Sequence, residues 1–412
     1  MPTVAIVDGY STGSALGRML AERGVACVHV RSSANMGEYF RHAFRAEDFV
    51  DDLGFVPDTT ELATRLRGRG VDRVVAGTES GVTLADTLND LLGTPGNDIS
   101  TLAARRDKAV MADVARAAGL AVPLGGTFDS ADAAARWYTS AIGGAAVVKP
   151  LDSAGTDNVH FCHDVDEVRA ACATILASTN LYGSPNRLVL VQERVVGTEY
   201  YVNTVSQAGV HRVAEIWRYT KRHGPNGAPI YDYEVPVDPG RAEVVSIRAF
   251  VGAVLDALGV RSSAAHTEIM VTERGPVLIE TGARLGGATL PDVVEKFSGV
   301  SQAGLFAAAL VNPDSLEAFD DRSPRWARTV RNVALVNPVA VSAQSGDWLS
   351  RISELPTAVA VAGNPKAGAE LPMTVDLISS PGFVYLASDD PREVERDYRL
   401  LREWEQQRCY GE

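Results

Sequence analysis

The chain has 412 residues, 46% hydrophobic and 22% charged, which suits two to four globular lobes and excludes disordered or fibrous architecture. With 39 basic against 52 acidic residues the formal net charge is −13, which excludes a general nucleic-acid binder, since that needs a basic surface. Cys27, Cys162, Cys172 and Cys409 form no CxxC pair, so neither a zinc knuckle nor a disulfide framework is expected, and a reducing cytoplasm fits.

In chain order, residues 4–7 are a short apolar run, the pattern of a buried parallel strand. The run stops at Asp8 and has no basic leader, so no signal peptide is expected. No apolar stretch approaches the ~20 residues of a membrane span, so no membrane partner is expected either. The turn DGYSTGSALG leads into a helical stretch to about residue 23, with Gly24 placed to end it. Residues 25–30 and 71–76 read as further strands, the second followed by GTESG and an amphipathic stretch through residue 92. Strand, small-residue turn and helix in repetition describe a Rossmann-like, doubly wound sheet. Gly9, Gly13 and Gly17 do not make GxGxxG. They serve either tight strand–helix packing or a small charged ligand at a helix N-terminus.

TPGND at 94–98 reads as a linker, and Asp107 as the cap or first turn of a helix that Gly119 ends. From 127 to 205 the pattern is α+β, with helices near 130–140 and 164–178 and strands at 145–148 and 188–192, the first breaking at Pro150. Alternating strands occupy 198–218 and 265–281. KRHGPNGAP at 221–229 is the nearest thing to a flexible insert, expected to overlie the active site. A final α+β piece beyond 325 ends in a charged helix from residue 391.

Four segments carry chemistry. In HTEIMVTERGPVLIETGARLGG, 266–287, Glu268 and Glu280 lie on two apolar segments around a polar turn, the pattern of a β-hairpin. Two carboxylates on one sheet face need a positive group between them: a divalent metal with hard oxygen ligands, or a salt bridge to Arg284. Arg284, in the small-residue loop ARLGG, suits a phosphoryl group in transfer. In AAVVKPLDSAGTDNV, 145–159, a strand delivers Lys149 ahead of a loop holding Ser153, Gly155 and Thr156, which fits phosphate oxygens or a plain surface turn. In VLVQERVVGTEYYVNTV, 189–205, backbone beyond Gln192-Glu193 has room for an adenine, and Glu199 is a carboxylate for ribose hydroxyls. Lys108 opens the helix after the linker. His266 shares a strand face with Glu268, as a substrate-orienting or a core histidine. Glu79, in GTESG, is either a capping residue or the partner of an ammonium group.

Taken in order, RxxK before a helix, VVKP with a Ser/Gly loop, QExxxGxEyyV, and HxE with ExxxRxGG resemble the ATP-grasp superfamily across about 105–290. The last segment is most similar to the stand-alone L-amino-acid and peptide ligases of natural-product pathways. The resemblance implies a Rossmann-like domain at 1–103, an ATP-grasp domain at 104–310 whose two α+β lobes clasp ATP, with a mobile lid at about 125–190, and an α+β subdomain at 311–412. It implies that Lys108 and Lys149 contact phosphates and that Ser153, Gly155 and Thr156 form a lid over them. Gln192, Glu193, Val195 or Val196 frame adenine, and Glu199 holds the ribose. Glu268 and Glu280 bind magnesium, as two ions replaceable by manganese, while Arg284 steadies the transferred group, with Lys149 and His266 beside it in catalysis. Many members carry Asn two residues after the second Glu; here it is Gly282, which puts the second metal's coordination in question.

The activity implied is a cytoplasmic ATP-dependent carboxylate–amine ligase acting on small amino-acid-type acids and amines through an acyl-phosphate, without nucleic acid or membrane, in a protein able to form a homodimer. An ATP-grasp carboxylase and a carboxylate–thiol ligase are the alternatives that use the same ATP site.

Overall fold

A computed structural model describes residues 2–35, 44–153, 155, 157–224, 229–323, 326–342, 347–363 and 370–411. Strands β1 (Thr3–Val7), β2 (Ala26–Arg31), β3 (Asp51–Phe55) and β4 (Arg73–Ala76) form a parallel sheet in the order β3-β2-β1-β4. Its strands alternate between two apolar layers, as a sheet covered on both faces must. Val4 and Ile6 pack with Leu16 and Leu20 of helix Thr12–Glu22, and Ala5 and Val7 with Leu62, Leu66 and Leu88. The Rossmann-like expectation holds. Gly13 serves packing, since a Cβ there would stand 2.6 Å from the Gly77 Cα. The strand β3 and helix Thr59–Arg67 escape the sequence reading because DDLGF puts two acids in a short edge strand.

Strands β5 (Gly125–Phe128), β6 (Ala146–Pro150), β7 (His160–Cys162) and β8 (Val189–Glu193) make an antiparallel sheet in the order β5-β8-β6-β7. Helices Ala131–Ala141 and Val165–Leu176 pack on it through Ala134, Tyr138, Val168, Cys172 and Ile175. Pro150 does not break β6; it is its last residue, paired with Val189, a strand end where a missing N–H is tolerated.

The largest sheet joins β9 (Thr198–Gln207), β10 (Val210–His223), β11 (Pro229–Pro236), β12 (Ala264–Thr272), β13 (Gly275–Gly282) and β14 (Thr329–Ala334). Beyond a small ribbon of β15 (Val341–Ser342) and β17 (Glu370–Leu371), β16 (Ala358–Ala362) and β18 (Phe383–Ser388) complete it in the order β13-β12-β9-β10-β11-β14-β18-β16. The expected insert at 221–229 is the tip of the β10–β11 hairpin, of which 225–228 lie outside the described residues. One face of β12 and β13 is covered by helix Ala242–Ala257, unread in the sequence, whose Ile247, Val251, Val254 and Leu255 meet Ile269 and Leu278. Asp107 caps helix Lys108–Ala117 by accepting from the N–H groups of Ala109 and Val110, and Met111 brings that helix into the same cluster. The charged helix Pro391–Gln406 is locked to β11 through Arg402, which donates to Asp232 Oδ1 at 2.7 Å and to Glu405 Oε2 at 2.6 Å. Among the described residues the cysteines are free and no helix is long and apolar enough to cross a membrane.

Two glycine substitutions test this packing in opposite directions. Gly13→Ala should lower stability by about 1–3 kcal/mol, the cost of overpacking. Gly252→Ala, in helix Ala242–Ala257 with nothing within 4 Å of the new methyl, should raise it by about 1 kcal/mol. Urea unfolding of both variants checks the pair; a neutral Gly13→Ala would contradict the close backbone approach.

Candidate active site

A cleft of about 670 Å³ lies between the β5–β8 sheet and the exposed face of the large sheet. Its acidic floor depends on a β-bulge. Across the β12–β13 hairpin Glu268 faces Glu280, but the next pair is Ile269 with Leu278, leaving Ile279 as the extra residue. Paired residues share a sheet face, so Ile269 and Leu278 enter the core and both carboxylates enter the cleft. Without the bulge Glu280 would point the same way as Leu278, two residues back.

The cations are distributed around these carboxylates. Lys108 Nζ sits 2.9 Å from Glu280 Oε1 and donates to the Ser153 carbonyl at 2.9 Å. Burial pushes the Lys149 amine down to about 8, against the field of Glu280. Lys221 Nζ lies 2.7 Å from Glu199 Oε2 and 4.9 Å from the Tyr231 ring centroid. Burial pushes Glu199 above the usual carboxylate range despite that ion pair, with Glu268 adding to the rise. Burial opposes ionisation of Glu268 too, but the His266 ring and the charges of Lys221 and Arg284 outweigh it and hold the carboxyl low.

Burial pushes His266 down, opposed by its hydrogen bond to Glu268 and that group's charge. Its Nδ1 lies 2.8 Å from Asn203 Oδ1 and its Nε2 3.6 Å from Glu268 Oε1, on the cleft side.

Glu79 reaches this cleft from the first sheet. Its Oε1 accepts from Arg106 at 2.8 Å and its Oε2 from Arg284 Nε at 2.8 Å. Burial works against the Glu79 carboxylate, but Arg284 and Arg106 prevail and hold it ionised. Glu79, read as a capping residue or the partner of an ammonium group, opens a short 3-10 helix and is engaged by two guanidinium groups. The clamp also explains Gly282, where a Cβ would collide with the Glu79 carboxylate. A side chain at 282 would have to displace this carboxylate from its place.

Of the sequence-predicted residues, Lys108, Lys149, Ser153, Gly155, Gln192, Glu193, Val195, Val196, Glu199, His266, Glu268, Glu280 and Arg284 line this one cleft. Thr156 lies outside the described residues. Two more of them are engaged: Glu193 Oε1 accepts from the Leu124 N–H at 2.9 Å, and Ser153 Oγ donates to Asp157 at 2.6 Å. Sequence reasoning did not single out Lys221, Tyr231 or Arg106, which the structure adds. The alternation Tyr219-Lys221 on one strand, ending at the hairpin tip, is the signal for the first.

The donor set fits magnesium: two facing carboxylates, hard oxygen ligands, with an ammonium rather than a hydrogen-bonded carboxyl partner at Glu280. Two α+β sheets closing on a cleft of lysines and paired glutamates, behind a Rossmann-like domain, define an ATP-grasp architecture. An ATP-grasp domain model matches residues 142–292. Dapdiamide A synthase of Enterobacter agglomerans is 30% identical over 98% of this chain and 95% of its own length. Among solved structures, an L-amino acid ligase from Bacillus licheniformis superimposes with a TM-score of 0.75 at 19% identity, covering 98% of this chain and 97% of that one. An N5-carboxyaminoimidazole synthetase from Staphylococcus aureus gives 0.69 at 12% identity over 98% and 97%. The chain belongs to the ATP-grasp family of ligases.

Removing the Glu79 carboxylate should leave two arginines enclosed without their partner. Glu79→Ala is expected to cost about 3–5 kcal/mol, the penalty for breaking a buried ion pair from one side. Urea unfolding measures it; a loss under about 1 kcal/mol, the level of a surface pair, would show that the clamp is not structural.

Proposed function

We propose that this ATP-dependent ligase joins the carboxylate of one amino-acid-type substrate to the amine of another, producing an amide, ADP and phosphate in specialised-metabolite biosynthesis. The convergence of Lys108, Lys149, Glu268, Glu280 and Arg284 on one cleft carries this reading. The similarity to proteins named dapdiamide A synthase and L-amino acid ligase supports amino-acid-type substrates. The carboxylating relatives, at 12% identity, share the fold and lend the carboxylase alternative nothing more.

In this reading Lys108 and Lys149 bind phosphate oxygens, and Ser153, Gly155 and Thr156 belong to a lid within 125–190 that excludes water. Gln192, Glu193 and the backbone at 195–196 frame the adenine, and Glu199 exchanges Lys221 for ribose hydroxyls. Glu268 and Glu280 hold magnesium, as two ions or with manganese in its place. Bound there, the metal supplies charge neutralisation to the phosphate oxygens.

A substrate carboxylate oxygen attacks the γ-phosphorus, the bond to the β-bridging oxygen breaks, and ADP leaves. The amine nitrogen then attacks the acyl carbon. A C–N bond forms, the C–O bond to phosphate breaks, and the amine loses a proton. Arg284 keeps Nε on Glu79 and Nη1 on the Leu285 carbonyl, which sets the plane in which its remaining nitrogen meets the phosphoryl oxygens. His266, held by Asn203, sits beside the reacting groups. Domains at 1–103, 104–310 and 311–412, a homodimer and a cytoplasmic location complete the proposal.

Glu280→Gln and Arg284→Ala should each lower acid- and amine-dependent phosphate release by about 100-fold or more. Near-normal release from folded variants would refute the site. Lys149 gives a pH signature. Its amine is charged below about 8 and neutral above it, so ATP affinity should fall as pH rises through that value. Lys149→Arg, charged throughout, should flatten the profile; equal profiles would remove Lys149 from phosphate binding.

A further inference from the structure

The loop that follows β6 is held at three successive residues by the segment that opens helix Lys108–Ala117. The Leu151 carbonyl accepts from the Lys108 N–H at 3.3 Å, Asp152 Oδ1 from Arg106 Nη2 at 2.5 Å, and the Ser153 carbonyl from Lys108 Nζ at 2.9 Å. A turn at 180–182 grips the same loop from the other side. Asn180 Nδ2 donates to the Asp152 carbonyl at 2.7 Å, and the Leu181 N–H to Asp157 Oδ2 at 3.0 Å. Loop and turn therefore form one unit at the end of the β5–β8 sheet.

Arg106 is where that unit meets the first sheet. Its guanidinium carbon lies 5.2 Å from the ring centroid of Tyr182, the last residue of the turn. Its other terminal nitrogen, Nη1, donates to the Glu79 carbonyl and to Glu79 Oε1, both at 2.8 Å, and Glu79 Oε2 in turn accepts from Arg284 Nε. One planar cation thus joins a loop carboxylate, an aromatic ring and the carboxylate that orients Arg284. A lysine, with a single compact ammonium, could not span the three. Met111 anchors the helix behind Arg106 in the core under the large sheet, so the guanidinium is a fixed point that the loop comes to.

Resting on the ligase reading, we propose that Arg106 is a positioning residue. It seats the loop of Ser153 and Gly155 through Asp152 and Tyr182, and keeps that loop in register with Arg284 through Glu79. Two side-chain cations reach the loop, and nucleotide treats them differently. Lys108 lines the cleft and is assigned to phosphate oxygens, so it leaves the Ser153 carbonyl when ATP enters. Arg106 stands behind the cleft lining and keeps its partners, so it carries the seat in the loaded enzyme.

The test is a double-mutant cycle on the full chain, read by calorimetric titration of a non-hydrolysable ATP analogue with magnesium. Asp152→Ala and Tyr182→Leu each remove one loop contact and leave the Arg106–Glu79 pair in place. Both should weaken analogue binding, Asp152→Ala by about tenfold, as for a lost hydrogen bond to a charged group. Asp152→Glu should recover part of it. In an Arg106→Gln background, Asp152→Ala should change affinity no further. Asp152 is 49% exposed, so its loss should leave urea unfolding without nucleotide nearly unmoved, which separates seating from folding. In turnover, Asp152→Ala should raise KM for ATP with kcat little changed, whereas Arg106→Gln should lower kcat as well, because Arg284 then loses its register. Unaltered affinity in Asp152→Ala, or a loss that persists undiminished in the Arg106→Gln background, overturns the seat. An unaltered kcat in Arg106→Gln overturns the register with Arg284. ADP formation from acid and amine by the unaltered protein, measured separately, decides the ligase reading itself.

Discussion

The structure depends on holding acidic and basic groups together in one enclosed cleft while leaving them able to exchange partners. Glu79, Glu199, Glu268 and Glu280 share it with Arg106, Lys108, Lys149, Lys221 and Arg284. Isolated, any of these charges would be costly to enclose. In the ligand-free arrangement most are paired internally: Glu79 with two arginines, Glu280 with Lys108, Glu199 with Lys221. Two of these pairs involve groups assigned to ATP and metal, so binding substitutes one set of opposite charges for another. The Glu79 clamp is different in kind. It ties the first sheet to the cleft and fixes Arg284.

Small departures from regular strand geometry make the arrangement possible. The bulge at Ile279 turns Glu280 into the cleft while Leu278 stays in the core. A second irregularity in β11 leaves Asp232 outside the pairing, where it meets Arg402 of the C-terminal helix, while Tyr231 lines the cleft. Continuity of the large sheet from β13 to β16 joins the C-terminal segment to the sheet that floors the cleft.

Most of the cleft was legible in the sequence because its residues stand in local motifs whose order along the chain is informative. Glu268 and Glu280 were readable as acids on apolar strands, and Asp107 as a helix cap. Glu79 was ambiguous, because its partners Arg106 and Arg284 lie 27 and 205 residues away and only the fold brings them together. Lys221 was hidden in what read as a flexible insert, and Tyr231 lies just beyond it. Helix Ala242–Ala257 went unread because its apolar residues follow no sharp single stripe.

The most direct test of the account is mass spectrometry of the products formed from ATP, magnesium and paired pools of amino acids. The account predicts ADP and phosphate, formed only when acid and amine are both present, and a new mass equal to their sum less water. AMP in place of ADP, or ADP formed with bicarbonate or a thiol but with no amine, would contradict it.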